Sequence, residues 1–477
     1  MTALWTTRAM AAAMGARRQG NLPAEIAGVS IDSRTAGKSD AFFAIKGDAR
    51  DGHDFVEAAL KGGAGVAVVS ARQRARFSNK APLLIVPDVL AGLRRLARAA
   101  RKRSDAKVIA VTGSVGKTST KEALRLALSA DGETHASVAS YNNHWGVPLT
   151  LARFPETARY GVFEIGMNHA GEITPLTKMV RPHIAIITTV APVHLEYFGS
   201  VAKIADAKAE IFAGLVRGGF AVLNRDNEQF ARLNRAAKAA GVANIVTFGE
   251  HPKADARLVK FALHPDCSTV QAEVLGSEVT YKLGAPGQHL LLNSLAVLAA
   301  ARLAGADLAL AALALARLQP ATGRGVQSRL AMPGGAALLI DESYNANPAS
   351  MRAAIALLGQ AATGPRGRRI AVLGDMLELG KKSGELHAGL AQPLARAGID
   401  LVFCSGPSMH SLWQALPSTL KGGYAETAAA LEPAVLRTVR AGDAIMIKGS
   451  LGSKMGPIVK ALERQFPRLP AAEPVQG

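Results

Sequence analysis

The stretch KVIAVTGSVGKTST, residues 107–120, decides the fold of the middle of the chain. An apolar run ends at Thr112, glycines follow, and Lys117 and Thr118 precede a helix that starts at Ser119 or the next residue. Glycines let backbone amides turn towards an anion, and a helix N-terminus adds a partial positive charge. Lys117 would reach the β- and γ-phosphates of a nucleotide, and the Thr118 hydroxyl would bind Mg²⁺. The pattern predicts a nucleoside triphosphate site.

The spacing of this loop departs from the general G-x-x-x-x-G-K-[ST] pattern, because Val111 stands where that pattern has glycine. The alternative interpretation is a plain glycine turn between a strand and a helix. Gly-Lys-Thr at this junction favours the phosphate site over that alternative. Its expected members are Gly113, Ser114, Val115, Gly116, Lys117, Thr118 and Ser119.

Apolar runs alternate with helical stretches along most of the chain. Strands are predicted at 29–34, 41–45, 65–70, 83–87, 107–113, 162–166, 183–190, 220–224, 337–341, 369–375, 401–406 and 444–450. Consecutive Val, Ile and Leu followed by a helix imply parallel sheets covered on both faces. The predicted fold class is α/β, in three domains: an α/β domain at 1–103, a P-loop domain with a parallel sheet at 104–325, and a Rossmann-like domain at 326–477.

The composition supports a soluble globular protein. The 477 residues are 49% hydrophobic and 19% charged, which excludes a disordered or fibrous chain. The longest apolar stretch, 295–318, contains Arg302 and Asp307 and predicts core helices rather than a membrane span. The N-terminus lacks the features of a secretory signal, and two cysteines exclude a disulfide framework or zinc cluster. We therefore expect a cytoplasmic protein.

The net charge of +19 favours an anionic partner, whether nucleic acid, a membrane surface or a phosphorylated small molecule. The densest basic run is RRLARAARKR at 94–103. Leu93, just before this run, and Leu96, Ala97 and Ala100 within it fall at helical spacing, which leaves the arginines on the opposite face of the helix. No aromatic residues interleave with them, so a plain surface helix is favoured over a nucleic-acid patch.

Metal ligands are expected at the ends of strands that neighbour the P-loop strand. Glu164 ends one predicted strand, and His194 follows the next in the phrase VAPVHLEYFGS. A carboxylate and an imidazole can each enter the coordination shells of Mg²⁺. Taken alone, each would more often be an ordinary polar residue at a strand end.

Five motifs in the middle of the chain together resemble the Mur ligases, the ATP-dependent amino-acid and peptide ligases of peptidoglycan precursor synthesis. They are TGSVGKTST, YNNHWGVPLTL (141–151), EIGMNHAGEI (164–173), APVHLEYFGS (191–200) and DAKAEIF (206–212). The resemblance continues in IDSR (31–34), KGDARDGHDF (46–55), DESYNANPAS (341–350), GDMLELG (374–380) and IKGS (447–450), and so covers nearly the whole chain.

The phrase SYNANP (343–348) resembles the members that join D-alanyl-D-alanine to UDP-N-acetylmuramoyl-tripeptide. Members that add diaminopimelate carry an Asp-Asn-Pro-Arg signature, which is not found here. The resemblance implies that the tripeptide carboxylate attacks the γ-phosphate of ATP, and that the dipeptide amine then attacks the acyl phosphate. It implies ATP and two Mg²⁺ ions as cofactors, with both small molecules as substrates.

The resemblance also assigns roles residue by residue. Catalytic roles fall on Lys117, Glu164, His194, Lys208 and Lys448, and metal binding on Thr118, Glu164, His194 and, if carbamylated, Lys208. Besides the P-loop residues, ATP would contact Asn293, Arg324 and Asp341. The substrates would contact Ser33, Arg34, Lys46, Asp51, His53, Asn142, Asn143, Tyr344 and Asn345, those of the first domain holding the UDP moiety.

Two other functions stay open at this point. One is a P-loop NTPase that acts as a nucleic-acid-binding or regulatory module, for which the positive charge is the argument. Such a protein would show ATPase activity that depends on nucleic acid and weakens with salt. The other is a sibling ligase that adds a different residue. The ligase hypothesis expects no nucleic-acid partner, no membrane insertion and a monomer.

Overall fold

The computed structural model describes residues 3–47, 50–138, 140–193, 195–264 and 266–470. Within these ranges the strands form three larger sheets and one short ribbon, which follow one another along the chain. No helix in the same ranges combines the length and apolarity that crossing a bilayer requires.

The first part of the chain forms a sheet in the order β2-β7-β6-β5-β4 and a ribbon of β1 with β3. Its strands are β1 (Trp5–Thr6), β2 (Arg17–Gln19), β3 (Glu25–Ile26), β4 (Gly28–Ser30), β5 (Asp40–Phe43), β6 (Val66–Ser70) and β7 (Leu83–Val86). Its helices are α1 (Thr7–Met14), α2 (Val56–Lys61) and α3 (Val89–Arg103), with 3-10 turns at Gly52–Phe55 and Ala71–Arg76.

The central part forms a sheet in the order β16-β15-β14-β13-β12-β11-β8-β10-β9. Its strands are β8 (Lys107–Thr112), β9 (Thr134–Ala136), β10 (Tyr160–Glu164), β11 (Ile184–Ile187), β12 (Phe220–Asn224), β13 (Asn244–Gly249), β14 (Ala256–Leu263), β15 (Ser268–Val274) and β16 (Ser277–Leu283). Its helices are α4 (Lys117–Ser129), α5 (Gly146–Ala152), α6 (Ile173–Val180), α7 (Leu195–Phe198), α8 (Val201–Ala209), α9 (Phe230–Ala239), α10 (Gln288–Leu303) and α11 (Leu308–Ala314), with 3-10 turns at Glu210–Gly214 and Leu315–Arg317.

The last part forms a sheet in the order β17-β18-β22-β19-β20-β21. Its strands are β17 (Val326–Met332), β18 (Gly335–Glu342), β19 (Arg369–Gly374), β20 (Leu401–Ser405), β21 (Lys421–Ala425) and β22 (Ala444–Lys448). Its helices are α12 (Pro348–Gln360), α13 (Ser383–Ala388), α14 (Ala391–Arg396), α15 (His410–Ala415), α16 (Ala428–Thr438) and α17 (Gly456–Gln465), with 3-10 turns at Gly380–Lys382, Ser418–Leu420 and Leu451–Ser453.

The α/β class and the parallel core of each sheet are confirmed, but the sheets carry antiparallel edges that the apolar runs did not predict. β2 pairs antiparallel with β7, β17 with β18, and β14, β15 and β16 form an antiparallel meander. These edge strands are buried only in part, and in β15 buried and exposed residues alternate, because one face meets solvent. A search for continuous apolar runs therefore passes over them.

The first and central parts share one hydrophobic core rather than meeting at a thin linker. Trp5, Leu93, Leu96 and Val147 belong to the same buried cluster, because α3 packs against α5 of the central part. The indole Nε1 of Trp5 donates to the Ala152 carbonyl at 2.9 Å. This packing fixes the orientation of the first sheet relative to the P-loop.

Candidate active site

The P-loop is held against the neighbouring strand by hydroxyl groups. β8 ends at Thr112, and the loop runs to Gly116 before α4 begins at Lys117. Ser114 Oγ donates to the Ala191 carbonyl at 3.1 Å, and Thr188 Oγ1 donates to the Val115 carbonyl at 2.6 Å. Free amides at the α4 N-terminus thus face the carboxyl edge of the sheet, where an anion is favoured.

Both glycines of the loop are required by its geometry. Gly113 and Gly116 have φ of 153° and 86°, in the region that L side chains rarely adopt. A Cβ at Gly116 would lie 2.4 Å from Nδ2 of Asn293, which reaches the loop from α10. The structure thus brings Asn293 to the predicted nucleotide site.

Lys117 folds back over the loop that precedes it. Its Nζ donates to the Gly113 carbonyl at 2.7 Å. Burial lowers the pKa of Lys117, the nearby charge of Glu164 opposes that shift, and Arg324 adds to it. A nearby phosphate would therefore stabilise the charged form of this amine, which burial disfavours.

Glu164 is the centre of a buried hydrogen-bond cluster at the ends of β8 and β10. The Thr118 hydroxyl donates to Glu164 Oε2 at 2.9 Å, and Asn142 Nδ2 donates to Oε1 at 2.7 Å. Ser140 Oγ lies 3.3 Å from the Thr118 hydroxyl and 3.4 Å from Arg324 Nη2. Glu164 is only 1% exposed, so its two oxygens are held in fixed directions.

The donor atoms of this cluster suit Mg²⁺. A hydroxyl and a carboxylate are hard oxygen ligands, and Mg²⁺ normally binds one or two carboxylates together with waters and substrate phosphates. Thr118 and Glu164 fit that requirement beside the phosphate loop. No group of three or more His, Cys, Asp or Glu arranged for a metal occurs among the described residues. The predicted ligand His194 lies outside them.

Lys208 lies buried in α8 with 2% of its surface exposed. Its pKa is far below the ordinary value, because burial disfavours the ammonium and the charge of Lys117 repels it. The described part of the chain offers Lys208 no recorded carboxylate partner. A lowered pKa increases the share of the neutral amine, which is the nucleophilic form of lysine.

The last sheet presents its own predicted residues at the carboxyl ends of β18 and β22. Lys448 Nζ donates to Glu342 Oε2 at 3.0 Å and to the Asn345 carbonyl at 2.9 Å, and is 1% exposed. Asp341 accepts from the Ser343 hydroxyl at 2.6 Å. These contacts hold the segment that follows β18 in place.

Arg324 joins the central and last parts. Its guanidinium lies 4.3 Å from the ring centroid of Tyr344, while its Nη2 faces Ser140 of the Glu164 cluster. A second contact between these parts runs from the Glu196 N–H in α7 to the Glu378 carbonyl at 3.2 Å. Arg324 therefore places Tyr344 of the last part next to the Glu164 cluster of the central part.

The predicted residues of the first part divide into exposed and buried side chains. Arg34 is 84% exposed and pairs with Asp32 at 2.6 Å; hydrogen bonds from Arg34 lower the pKa of Asp32 to about 2. Lys46 is also exposed, opposite Asp51 in an isolated bridge, and Ser33 is half-buried. These three side chains follow the carboxyl ends of β4 and β5.

His53 is buried, and both of its ring nitrogens are used inside the protein. Nδ1 lies 2.6 Å from Asp51 Oδ1, and Nε2 accepts from the Ser70 N–H at 3.0 Å. The imidazole therefore braces the loop after β5. Burial raises the pKa of Asp51, but the hydrogen bonds from His53 outweigh it, and the net shift is downward.

Asn142 and Asn143 are adjacent but do different things. Asn142 orients Glu164, whereas Asn143 is exposed and its Oδ1 accepts from the Gly146 N–H at 2.9 Å, at the start of α5. Sequence reasoning assigned both to substrate and missed the link from Asn142 to Glu164. It also missed Ser140 and Thr188, since isolated hydroxyls carry no spacing signal.

Family models match most of the chain. The Mur ligase family catalytic domain matches residues 25–101, the Mur ligase middle domain 111–301, and the Mur ligase glutamate ligase domain 329–451. Two curated relatives are each a UDP-N-acetylmuramoyl-tripeptide–D-alanyl-D-alanine ligase. The one from Escherichia coli is 35% identical, covering 91% of this chain and 93% of its own, and the one from Rickettsia prowazekii is 31% identical, covering 96% and 99%.

Solved structures agree with these relatives. MurF from Acinetobacter baumannii superposes with a TM-score of 0.82 at 30% identity, covering 96% of this chain and 99% of its own. MurF ligase from Thermotoga maritima in complex with ADP superposes with a TM-score of 0.75 at 26% identity, covering 92% and 97%. With matches of this extent in both sequence and structure, the chain belongs to the Mur ligase family.

Proposed function

We propose that this chain is an ATP-dependent ligase that joins D-alanyl-D-alanine to UDP-N-acetylmuramoyl-tripeptide, giving the pentapeptide precursor of peptidoglycan. The observation that carries this proposal is the similarity, over 91–96% of the chain, to relatives that bear this activity in their names. The similarity covers all three domains, and this matters because similarity of the P-loop domain alone would support only nucleotide binding and not the choice of substrates.

The first chemical step must bring two anions together. An oxygen of the tripeptide carboxylate attacks the γ-phosphorus of ATP, and the bond to the β-phosphate oxygen breaks to release ADP. Lys117 and the amides at the start of α4 would neutralise the phosphates at this step. Mg²⁺, when held by Thr118 and Glu164 and, at a second site, by His194 and carbamylated Lys208, would supply further charge neutralisation and alignment.

The second step forms the amide. The neutral amine of the dipeptide attacks the acyl carbon, a tetrahedral intermediate forms, and inorganic phosphate leaves with the former carboxylate oxygen. Lys448 would stabilise the negative charge of the acyl phosphate, since its ammonium is held between Glu342 and the Asn345 carbonyl. Arg324, Asn293 and Asp341 would bind the nucleotide.

Lys208 is proposed to be carbamylated. Its neutral amine would attack CO₂, a nitrogen–carbon bond would form, and the amine proton would pass to water, leaving a carboxylate-like ligand. The depressed pKa of Lys208 supports this, because only the neutral amine is nucleophilic. Intact mass of the enzyme equilibrated with bicarbonate should rise by one CO₂, and the Lys208→Met variant should not gain it. Fully active enzyme without this increment would contradict the proposal.

We propose that the chain divides at 103/104 and 325/326, and that the first domain holds the UDP moiety. The first boundary is the end of α3, and the second directly precedes β17. Arg34 and Lys46 are exposed cations after the ends of β4 and β5, where a diphosphate could be bound. Replacing Lys46 by Ala should raise KM for the UDP-tripeptide and leave KM for ATP unchanged.

The site residues named above come from one chain, and we propose that the enzyme acts as a monomer in the cytoplasm, without nucleic acid. Phosphate release from ATP tests the function. It should require both UDP-N-acetylmuramoyl-tripeptide and D-alanyl-D-alanine. Release with the UDP-dipeptide and a diamino acid would instead identify a sibling ligase, and stimulation by nucleic acid alone would overturn the ligase assignment.

A further inference from the structure

Half of the net charge of the protein lies in its first fifth. Residues 1–103 hold 18 Lys and Arg against 8 Asp and Glu, a net +10 out of +19. Within them, residues 7–19 and 89–103, which contain α1, β2 and α3, carry nine basic residues and no acidic one. The positive charge is therefore concentrated in three elements.

These elements lie side by side. At one end, the guanidinium of Arg103 lies 3.5 Å from the ring centroid of Trp5, and its Nη2 donates to the Leu4 carbonyl at 2.9 Å. At the other end, a Cβ on Gly15 would lie 3.7 Å from Arg95 Nη1. Helices α1 and α3 thus run antiparallel in contact, and β2 follows directly after Gly15.

This surface carries exposed cations that make no side-chain contact with an acidic residue in the part of the chain that the structure describes. We call the surface the basic face; it consists of Arg8, Arg17, Arg18, Arg95, Arg98 and Lys102, all exposed. No ion pair or side-chain hydrogen bond is recorded for these six among the described residues. Acidic residues flank it: Asp88 caps α3 at its N-terminus, Glu25 lies beside β1, and Asp105 follows α3. Close like charges repel one another, which an anionic partner would relieve.

The described residues of the basic face include no exposed aromatic side chain on which single-stranded nucleic acid could stack. Leu93, Leu96 and Ala97 bury the inner side of α3, so only its charged outer side is open to a partner. The aromatic residue nearest the face, Trp5, is 4% exposed beneath Arg103 and offers no stacking surface. A broad cationic surface whose described residues include no large exposed apolar side chain matches the headgroups of an anionic bilayer.

We propose that the basic face adsorbs the enzyme reversibly to anionic phospholipid surfaces. None of its six residues belongs to the nucleotide, metal or substrate site, so the ligase reaction continues on the adsorbed protein. The interaction is electrostatic and involves no insertion. It therefore weakens as salt screens the charges.

Vesicle co-sedimentation tests the proposal with the full-length protein. Vesicles of phosphatidylcholine and phosphatidylglycerol in a two-to-one ratio should bind it at low ionic strength, and pure phosphatidylcholine vesicles should not. In about 1 M NaCl, where the Debye length is about 3 Å, binding should be lost. The variant carrying Arg17→Gln, Arg95→Gln, Arg98→Gln and Lys102→Gln should bind roughly several hundredfold more weakly, at about fivefold for each charge.

A matched variant separates this face from total charge. It carries Arg217→Gln, Arg235→Gln, Lys238→Gln and Arg437→Gln, which remove the same charges from exposed positions elsewhere. It should bind vesicles like the wild type, and both variants should keep the wild-type melting temperature and ligase rate. Absence of low-salt binding, an equal loss in the matched variant, or tighter binding to a duplex oligonucleotide at equal phosphate concentration would each overturn the proposal.

Discussion

Replacing Asn142 by Ala tests whether the Glu164 cluster is built for catalysis. The substitution removes the donor that lies 2.7 Å from Glu164 Oε1, and it leaves that oxygen unsatisfied at a position that is 1% exposed. A hydrogen bond to a charged group is worth about 1.5–3 kcal/mol. If the fixed direction of the carboxylate is used in the transition state, kcat should fall roughly 10- to 150-fold.

The assay is phosphate release with both substrates saturating, over a titration of MgCl₂. We expect the Asn142→Ala variant to require more Mg²⁺ for half-maximal rate, because Glu164 would no longer be held towards the cation. Asn143→Ala is the matched control. It removes the acceptor of the Gly146 N–H and should cost about 1 kcal/mol of stability with little change in Mg²⁺ dependence. Equal Mg²⁺ dependence in the two variants would refute the reasoning.

Three further changes follow from the same geometry. Gly116→Ala places a methyl group 2.4 Å from Asn293 Nδ2, on a residue whose φ is 86°. Calorimetry should therefore show ADP binding that is at least about tenfold weaker, and unchanged affinity would contradict the close approach. In CO₂-free buffer, the free energy of unfolding of the wild type should rise with pH between the depressed pKa of Lys208 and its ordinary value of 10.5, because in that range the unfolded chain binds more protons than the folded one. Denaturation at a series of pH values should show a flatter slope for Lys208→Met. An unchanged slope would rule out a depressed pKa. His53→Ala should lower the free energy of unfolding, measured in urea, by about 2 kcal/mol, since it leaves the Ser70 N–H without its acceptor. A variant of unchanged stability with a raised KM for the UDP-tripeptide would instead indicate that His53 contacts the substrate.

The sequence predicted most of the strands that bury both faces, but the internal parallel strand β13 was not among those predicted. Strands β8, β10 and β11 follow runs of apolar residues, although β10 lies two residues earlier than predicted and β11 ends at Ile187 rather than at residue 190. The meander of β14 to β16 was not predicted, because strands with one exposed face alternate polar and apolar residues and lie outside the search for continuous runs. Short β21 contains two glycines, which give no strand signal.

The site could be predicted as a list of residues but not as an arrangement. The P-loop spacing pointed to Lys117 and Thr118, and resemblance to a family pointed to Glu164 and Asn293. Neither source indicated that Asn142 aims the Glu164 carboxylate, since that contact joins two loops brought together only by the pairing of β8 with β10. The burial of His53 could not be predicted either, because a polar residue in a turn is usually exposed and its sequence neighbours do not indicate that it packs inside the protein.

The central claim, ligation through an acyl phosphate, is tested most directly by following one oxygen atom. UDP-N-acetylmuramoyl-tripeptide would be labelled with a heavy oxygen isotope in its terminal carboxylate and incubated with ATP and D-alanyl-D-alanine. The account predicts one labelled oxygen in the released phosphate for each amide bond formed. Phosphate without label, alongside pentapeptide product, would contradict attack of the carboxylate on the γ-phosphate.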